Sequence, residues 1–289
     1  MTDPSIFNQL LIWPILNMLI SFYKGFEYLH IPGAFGWAII ALTIAIRIIL
    51  HPLTVKQLQS QKKISALKPH LDAISAKHKD GKSRLQQEQL KLYQEAGVNP
   101  AAGCLPLLLQ FPVLIALYNV FLQVLSVGDM KELVANINKV VYFPQLRLES
   151  LDLNFFGIPL GVKPDQWQQY GVWLLLIPVL TAVLQWYQTK IMMPSIAPEA
   201  KKDETKPGKK EVKKELSTSD EMQKALQMQM KYFFPVFIGY LGYTFPVGLS
   251  LYWNVFSASG IIQQLLVNKA HEKEELLLKD KKNLKIKKK

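Results

Sequence analysis

Apolar residues gather in five charge-poor runs, and the segments between them carry almost all the charge. Residues 36–54 open with GWAIIALTIAIRII, broken only by one threonine and one arginine. Residues 104–126 (CLPLLLQFPVLIALYNVFLQVLS), 170–188 (YGVWLLLIPVLTAVLQWYQ), 232–243 (YFFPVFIGYLGY) and 247–267 (VGLSLYWNVFSASGIIQQLLV) hold no charged residue. A hydrocarbon core about 30 Å thick takes roughly 20 helical residues, and lipid offers backbone groups no hydrogen-bond partner, so such runs read as spanning helices. Period-2 alternation is absent, which excludes a barrel. The run 232–243 reaches span length only by borrowing neighbours, and Phe245-Pro246 joins it to the last run through a tight turn. The predicted fold is all-α, a five-transmembrane-helix bundle with spans at 36–54, 104–126, 170–190 and, as a pair, 231–267.

Composition changes this picture only once it is sorted by position. The 289 residues are 49% hydrophobic, which excludes a disordered chain, and carry 34 Lys+Arg against 22 Asp+Glu for a net charge of +12. Those totals suit a lipid-bound protein and a nucleic-acid binder equally. Nine Lys/Arg fall before residue 104 and after the first run, ten fall in 190–231 and nine in 268–289, whereas 1–35 and 127–169 hold one and four. Five spans put the three rich segments on one side, and the positive-inside rule makes that side cytoplasmic. The chain is therefore expected to have its C-terminus inside and its N-terminus outside. The single cysteine, Cys104, excludes a disulfide framework and a cysteine-based zinc cluster.

The segments between the runs have characters of their own. In 1–35, Gln9, Asn17, Ser21, Lys24 and Glu27 fall on one side of a helical wheel and Phe7, Leu11, Ile15, Met18 and Phe22 on the other. This predicts an amphipathic interfacial helix, the alternative being an uncleaved signal anchor. Residues 55–103 predict a cytoplasmic helical hairpin: Ile64, Leu67, Leu71 and Ile74 form a seam, Pro69 interrupts the first arm, Asp80-Gly81 turns, and Gly97 ends the second arm. Residues 127–169 form an external loop, and 191–230, rich in Lys, Glu and Pro, a disordered cytoplasmic loop. The basic cytoplasmic tail 268–289 suits anionic lipid, ribosomal RNA or plain solubilisation, and at the cytoplasmic face RNA is favoured over DNA.

One charge is left inside a span. Arg47 lies past the middle of the first run, and no Asp or Glu occurs in any of the five runs to pair with it. An arginine at a helix centre costs roughly 2.5–3.5 kcal/mol on insertion scales. Either it snorkels to the cytoplasmic side or it lines a hydrated cavity. Thr43 sits one turn before it on the same face. Thr181, Gln185 and Gln188 form a stripe on the third run, Ser250, Asn254 and Ser257 another on the fifth, and Gln110 lies near the cytoplasmic end of the second. Intramembrane Ser and Gln often only hold helices together, but three stripes beside an unpaired arginine predict a polar groove.

The runs TIAIRIILHPLTVKQLQSQKKISALKP, EAGVNPAAGCLPLLLQFPVLIALYNVF and FPVGLSLYWNVFSASGIIQQ closely resemble the YidC insertase family, relatives of the mitochondrial oxidase-assembly and chloroplast thylakoid insertases. The likeness runs from about residue 14 to 267, and the lack of a large external domain before the first run resembles the family's short form. It implies a membrane protein insertase and chaperone whose cytoplasm-open groove receives hydrophilic segments of nascent membrane proteins and releases their helices into the bilayer, alone or with the Sec translocon. It also implies a bacterial cytoplasmic (inner) membrane as the location, Arg47 as the groove arginine, Thr43 and Gln185 as groove positions and Trp253 as the aromatic of the fifth span. The departures are a missing lipoprotein cysteine, the long Lys/Glu-rich second loop and an acidic N-terminus.

Other classes fit less well. The five histidines give no HExxH, no carboxylate lies in a run to act as a base, and no GxxxxGK[ST] loop occurs, so no enzyme, cofactor or metal site is expected. A transporter predicts internal repeats, and none is evident among the five runs.

Overall fold

The computed structural model describes residues 2–78, 81–99, 105–125, 129–192 and 228–287, and it is mostly helical. The chain enters through a π-helical turn, Asn8–Ile12, that runs into α1 (Trp13–Tyr28). Pro14 explains the widened turn: it has no N–H, and its ring presses on the carbonyl four residues back, so an extra residue relieves the clash. The same device recurs before Pro235, where a π-helical turn at Gln229–Phe233 opens α9 (Phe234–Thr244).

A tight turn with His30 and Gly33 at positive φ leads into α2 (Ala34–Ala66), a single helix of 33 residues. It passes unbroken through Pro52 from the apolar run into the basic segment. The break comes at Leu67, because Pro69 sits in the first turn of α3 (Lys68–Lys77). α4 (Lys82–Glu95) packs back on α3, with Gln89 Nε2 donating to Ser75 Oγ at 3.4 Å. Gly97, at φ 62, ends this arm, and Val98 N–H donates to the Tyr93 carbonyl, as in a Schellman cap.

α5 (Leu105–Leu125) and α6 (Met130–Val140) follow, the latter capped by Asp129, whose carboxylate accepts from Lys131 N–H at 2.9 Å. The all-α expectation needs one correction. β1 (Asn154–Phe155) and β2 (Ile158–Pro159) pair antiparallel across Phe156 and Gly157, both at positive φ. This is a two-residue hairpin of the type that matches strand twist. Phe155 fills a notch over Gly33 and Gly36, where an added Cβ would collide with its ring. Past the hairpin, the Leu160 and Val162 carbonyls accept from the N–H groups of Gly248 and Val247, tying this segment to the start of the last helix.

α7 (Trp167–Tyr170), Gly171 and a short 3-10 turn lead into α8 (Leu176–Met192). α9 lies along α8, with Gly239 against Ala182 and Gly242 against Thr181, the close approach that small residues permit between helices in lipid. Phe245 is extended and α10 (Val247–Lys287) begins at once, continuing as helix into the basic tail. Residues 193–227, most of the loop expected to be disordered, lie outside the described residues.

Among the described residues, α2 and the stretch Val172–Met192 are long and apolar enough to cross a membrane, and Phe111–Val124 is a shorter apolar helix. Their outer faces are oily. Ile44, Ile48 and Ile49 on α2, Val179, Leu180 and Val183 on α8, and Val236, Phe237 and Tyr240 on α9 are all exposed large hydrophobics. An apolar band of that extent marks a surface made for lipid or a partner rather than water.

The N-terminal helix also departs from expectation. Its inner face is Leu16, Leu19, Ile20 and Tyr23, and Asn17, which the wheel assigned to the polar side, is buried among them. Asn17 donates to the Trp13 and Val140 carbonyls and accepts from Tyr142 N–H, pinning the end of α6 to α1. α1 packs along α2.

Candidate functional site

α2, α8 and α10 meet along one seam, and its character changes partway down. Phe35, Ala38, Ile39 and Leu42 on α2 and Leu249 and Tyr252 on α10 belong to one apolar core cluster. Beyond Leu42 most of the buried residues are polar: Thr43 on α2, Thr181, Gln185, Gln188 and Thr189 on α8, and Ser257, Gln263 and Gln264 on α10; Ser250, also buried, lies among the apolar residues and donates to the Gly242 carbonyl.

Arg47 sits in this polar part. Its Nη2 donates to the Phe256 carbonyl, and its Cζ lies 3.5 Å from the centroid of the Phe256 ring, a cation–π contact. Its Nε is buried without a partner. The ion pair found among the described residues, Lys24–Glu27, is far along the chain in α1, so no carboxylate neutralises this arginine there.

The remaining expected residues divide by what holds them. Thr43 Oγ1 donates to the Ile39 carbonyl at 2.7 Å within its own helix, which satisfies the hydroxyl without a neighbour. Trp253 Nε1 donates to Gln185 Oε1 at 3.1 Å, joining α10 to α8, and Gln185 also reaches Thr189 Oγ1 at 3.4 Å. Gln188 approaches Arg47 beside Gly260. Asn254 Oδ1 and Ser257 Oγ are buried and unpaired. The structure thus joins Trp253 to Gln185 and brings Gln188 near Arg47, while Thr43, Asn254 and Ser257 contribute buried polar atoms on the same two helices, α2 and α10, that carry Arg47 and Trp253. The side chain of Gln110 lies outside the described residues, although its backbone is in α5.

Further members were not singled out from sequence. His51 Nδ1 meets Gln263 Nε2, and Lys62 Nζ donates to the Val267 carbonyl at 3.4 Å. Burial lowers the Lys62 ammonium from its usual value. Gln57 Nε2 and Gln264 Oε1 add two more buried unpaired atoms. Two signals in the sequence extend to them: Thr43, Arg47 and His51 follow a four-residue spacing on α2, and Gln264 continues the stripe through Ser250, Asn254 and Ser257. Among the described residues no cluster of His, Cys, Asp and Glu is arranged to hold a metal.

Among the described residues, five buried polar atoms without partners, all on α2 and α10, are an expensive arrangement, because each costs about 1–3 kcal/mol of desolvation if left dry. Such a seam holds water or waits for a polar visitor.

Comparison with known proteins shows the family of the chain. The family described as 60Kd inner membrane protein matches residues 27–274. The membrane protein insertase YidC of Oceanobacillus iheyensis is 30% identical over 91% of this chain and 84% of its own length. The YidC insertase of Chloroherpeton thalassium is 33% identical over 97% of this chain but only 39% of its own, and the chloroplast inner membrane protein ALBINO3 of Arabidopsis thaliana is 31% identical over 88% and 51%. The chain thus spans about half or less of the longer relatives and most of the shorter one. A crystal structure of an active YidC insertase with its first transmembrane domain resolved covers 91% of this chain and 46% of that one, at 24% identity and a TM-score of 0.48. With a family match across most of its length, this chain belongs to the 60Kd inner membrane protein family, the family of the YidC insertases.

Proposed function

We propose that this protein is a membrane protein insertase that uses the polar seam of α2, α8 and α10 as a half-channel. The observation that carries the reading is the row of buried, unpaired polar atoms around Arg47, with no carboxylate of the described residues to neutralise it. A hydrophilic segment crossing bare hydrocarbon meets a high desolvation barrier. Water in the seam shortens the dry path. Arg47 attracts acidic residues of the entering segment, and the exposed apolar faces of α8 and α9 guide the following hydrophobic helix into lipid. No catalytic centre is needed; the driving force is partitioning, assisted by the membrane potential or a partner.

In this reading the chain has five spans, the seam opens to the cytoplasm, and α3, α4 and the basic end of α10 stand on that side, where anionic lipid and ribosomal RNA are the partners their charge fits. Nascent membrane proteins are the substrates, with the Sec translocon as a further partner. The test is reconstitution. Purified protein in liposomes is expected to insert a small single-span protein with a short acidic tail, and solute flux without any insertion would overturn the reading.

A further inference from the structure

The Arg47 guanidinium rests on α10 in a way that depends on a residue with no side chain. It lies over the Phe256 ring and donates to the Phe256 carbonyl. One turn further along the same face, Gly260 is buried. A Cβ there would stand 2.7 Å from Arg47 Nη2 and 2.5 Å from Gln188 Nε2. Atoms do not approach that closely without something shifting, so even a methyl group at 260 displaces the guanidinium, the amide or both. The helical geometry adds a second reason. The Phe256 carbonyl is the one that the N–H of residue 260 meets within an α-helix, so the side chain at 260 lies over the approach to that carbonyl.

We propose that Gly260 is the positioning residue for Arg47. The missing side chain lets the guanidinium sink onto α10, between Phe256 and Gln188, at a fixed depth in the seam. With any larger residue, the flexible arginine swings away along the seam and its charge is no longer held where an entering carboxylate arrives. The seam then discriminates less between acidic and neutral segments. This deepens the insertase reading and rests on it for its functional arm. The cradle itself is a claim about two residues and is testable alone.

The experiment uses the full chain with Gly260→Ala, Arg47→Ala, the double variant, and Gly260→Ala combined with Arg47→Lys. In detergent, Ala at 260 brings the helix a gain common to every background, so the collision is read as a difference: the melting shift caused by Gly260→Ala is expected to be about 4 °C less favourable with Arg47 present than with Arg47 already Ala, because the colliding group is then gone. In liposomes, Gly260→Ala is expected to cut insertion of a single-span protein with an acidic tail about fivefold while leaving the Asn/Gln-tailed version within about twofold, and Lys, with its slimmer head, restores part of the loss. Strictly additive melting shifts, or equal losses for both tails, overturn the proposal. If neither the wild type nor any variant inserts either protein, the insertase reading falls, while the thermal coupling still decides whether Gly260 positions Arg47.

Discussion

The two halves of the α2–α10 seam are built from the same pair of helices and obey different rules. In the first half Phe35, Ile39, Leu42 and Tyr252 are almost fully buried and pack with Leu16, Leu117, Val120 and Phe121 from α1 and α5. In the second half the buried residues are Thr43, Gln185, Gln188, Ser257 and Gln264, some with no partner for their polar atoms. The apolar half holds the fold together. The polar half costs stability, and a chain that keeps such a cost keeps it for function. Stability and activity are therefore expected to separate along the length of one helix pair.

The largest effect belongs to the apolar half. Phe121→Ala removes a fully buried ring and is expected to cost about 3–5 kcal/mol, read as a large fall in melting temperature in detergent. A small shift would mean that the first half is not the core. In the polar half Arg47→Ala is expected to lower insertion of acidic-tailed substrates about tenfold, equivalent to about 1.4 kcal/mol, with Lys largely tolerated because charge matters more than fork geometry. Equal insertion by Arg47→Ala and wild type would remove the charge from the mechanism.

Asn17→Leu sharpens the comparison from the apolar side. It leaves the Val140 carbonyl and Tyr142 N–H without their partner, and is expected to cost about 1–3 kcal/mol with the acidic-tail preference of insertion unchanged. Ser257→Ala is the mildest change. It removes a buried hydroxyl that has no partner, so the melting temperature stays level or rises slightly, by less than about 1 kcal/mol in stability, while insertion weakens. A clear loss of stability there would show that Ser257 belongs to the core after all.

How much of this was legible in the sequence follows from the same contrast. Arg47 stands out because no carboxylate accompanies it in any apolar run, and the stripes on α8 and α10 stand out because helical spacing survives folding. Asn17 was misplaced for a definable reason. A wheel sorts side chains by polarity alone, whereas the Asn17 amide is satisfied inside the fold by the Val140 carbonyl and the Tyr142 N–H, partners 123 and 125 residues away in sequence. The hairpin was invisible because its strands are two residues long and its turn, Phe156-Gly157, lacks the usual Asn-Gly signal. Gly260 could not be read as part of the site from spacing alone, since what matters is the space its missing side chain leaves for an arginine 213 positions away in sequence. Trp253 reached the site by resemblance, and its bond to Gln185 gives that resemblance a physical basis.

The central claim is that the polar half of the seam receives the substrate and the apolar half does not. Photo-crosslinkers placed at Thr43 and Gln185 on one side of the boundary, and at Val120 on the other, test it directly against a stalled nascent membrane protein. The account predicts adducts to the nascent chain from Thr43 and Gln185 and none from Val120. Adducts of equal yield from all three positions, or from Val120 alone, would contradict it.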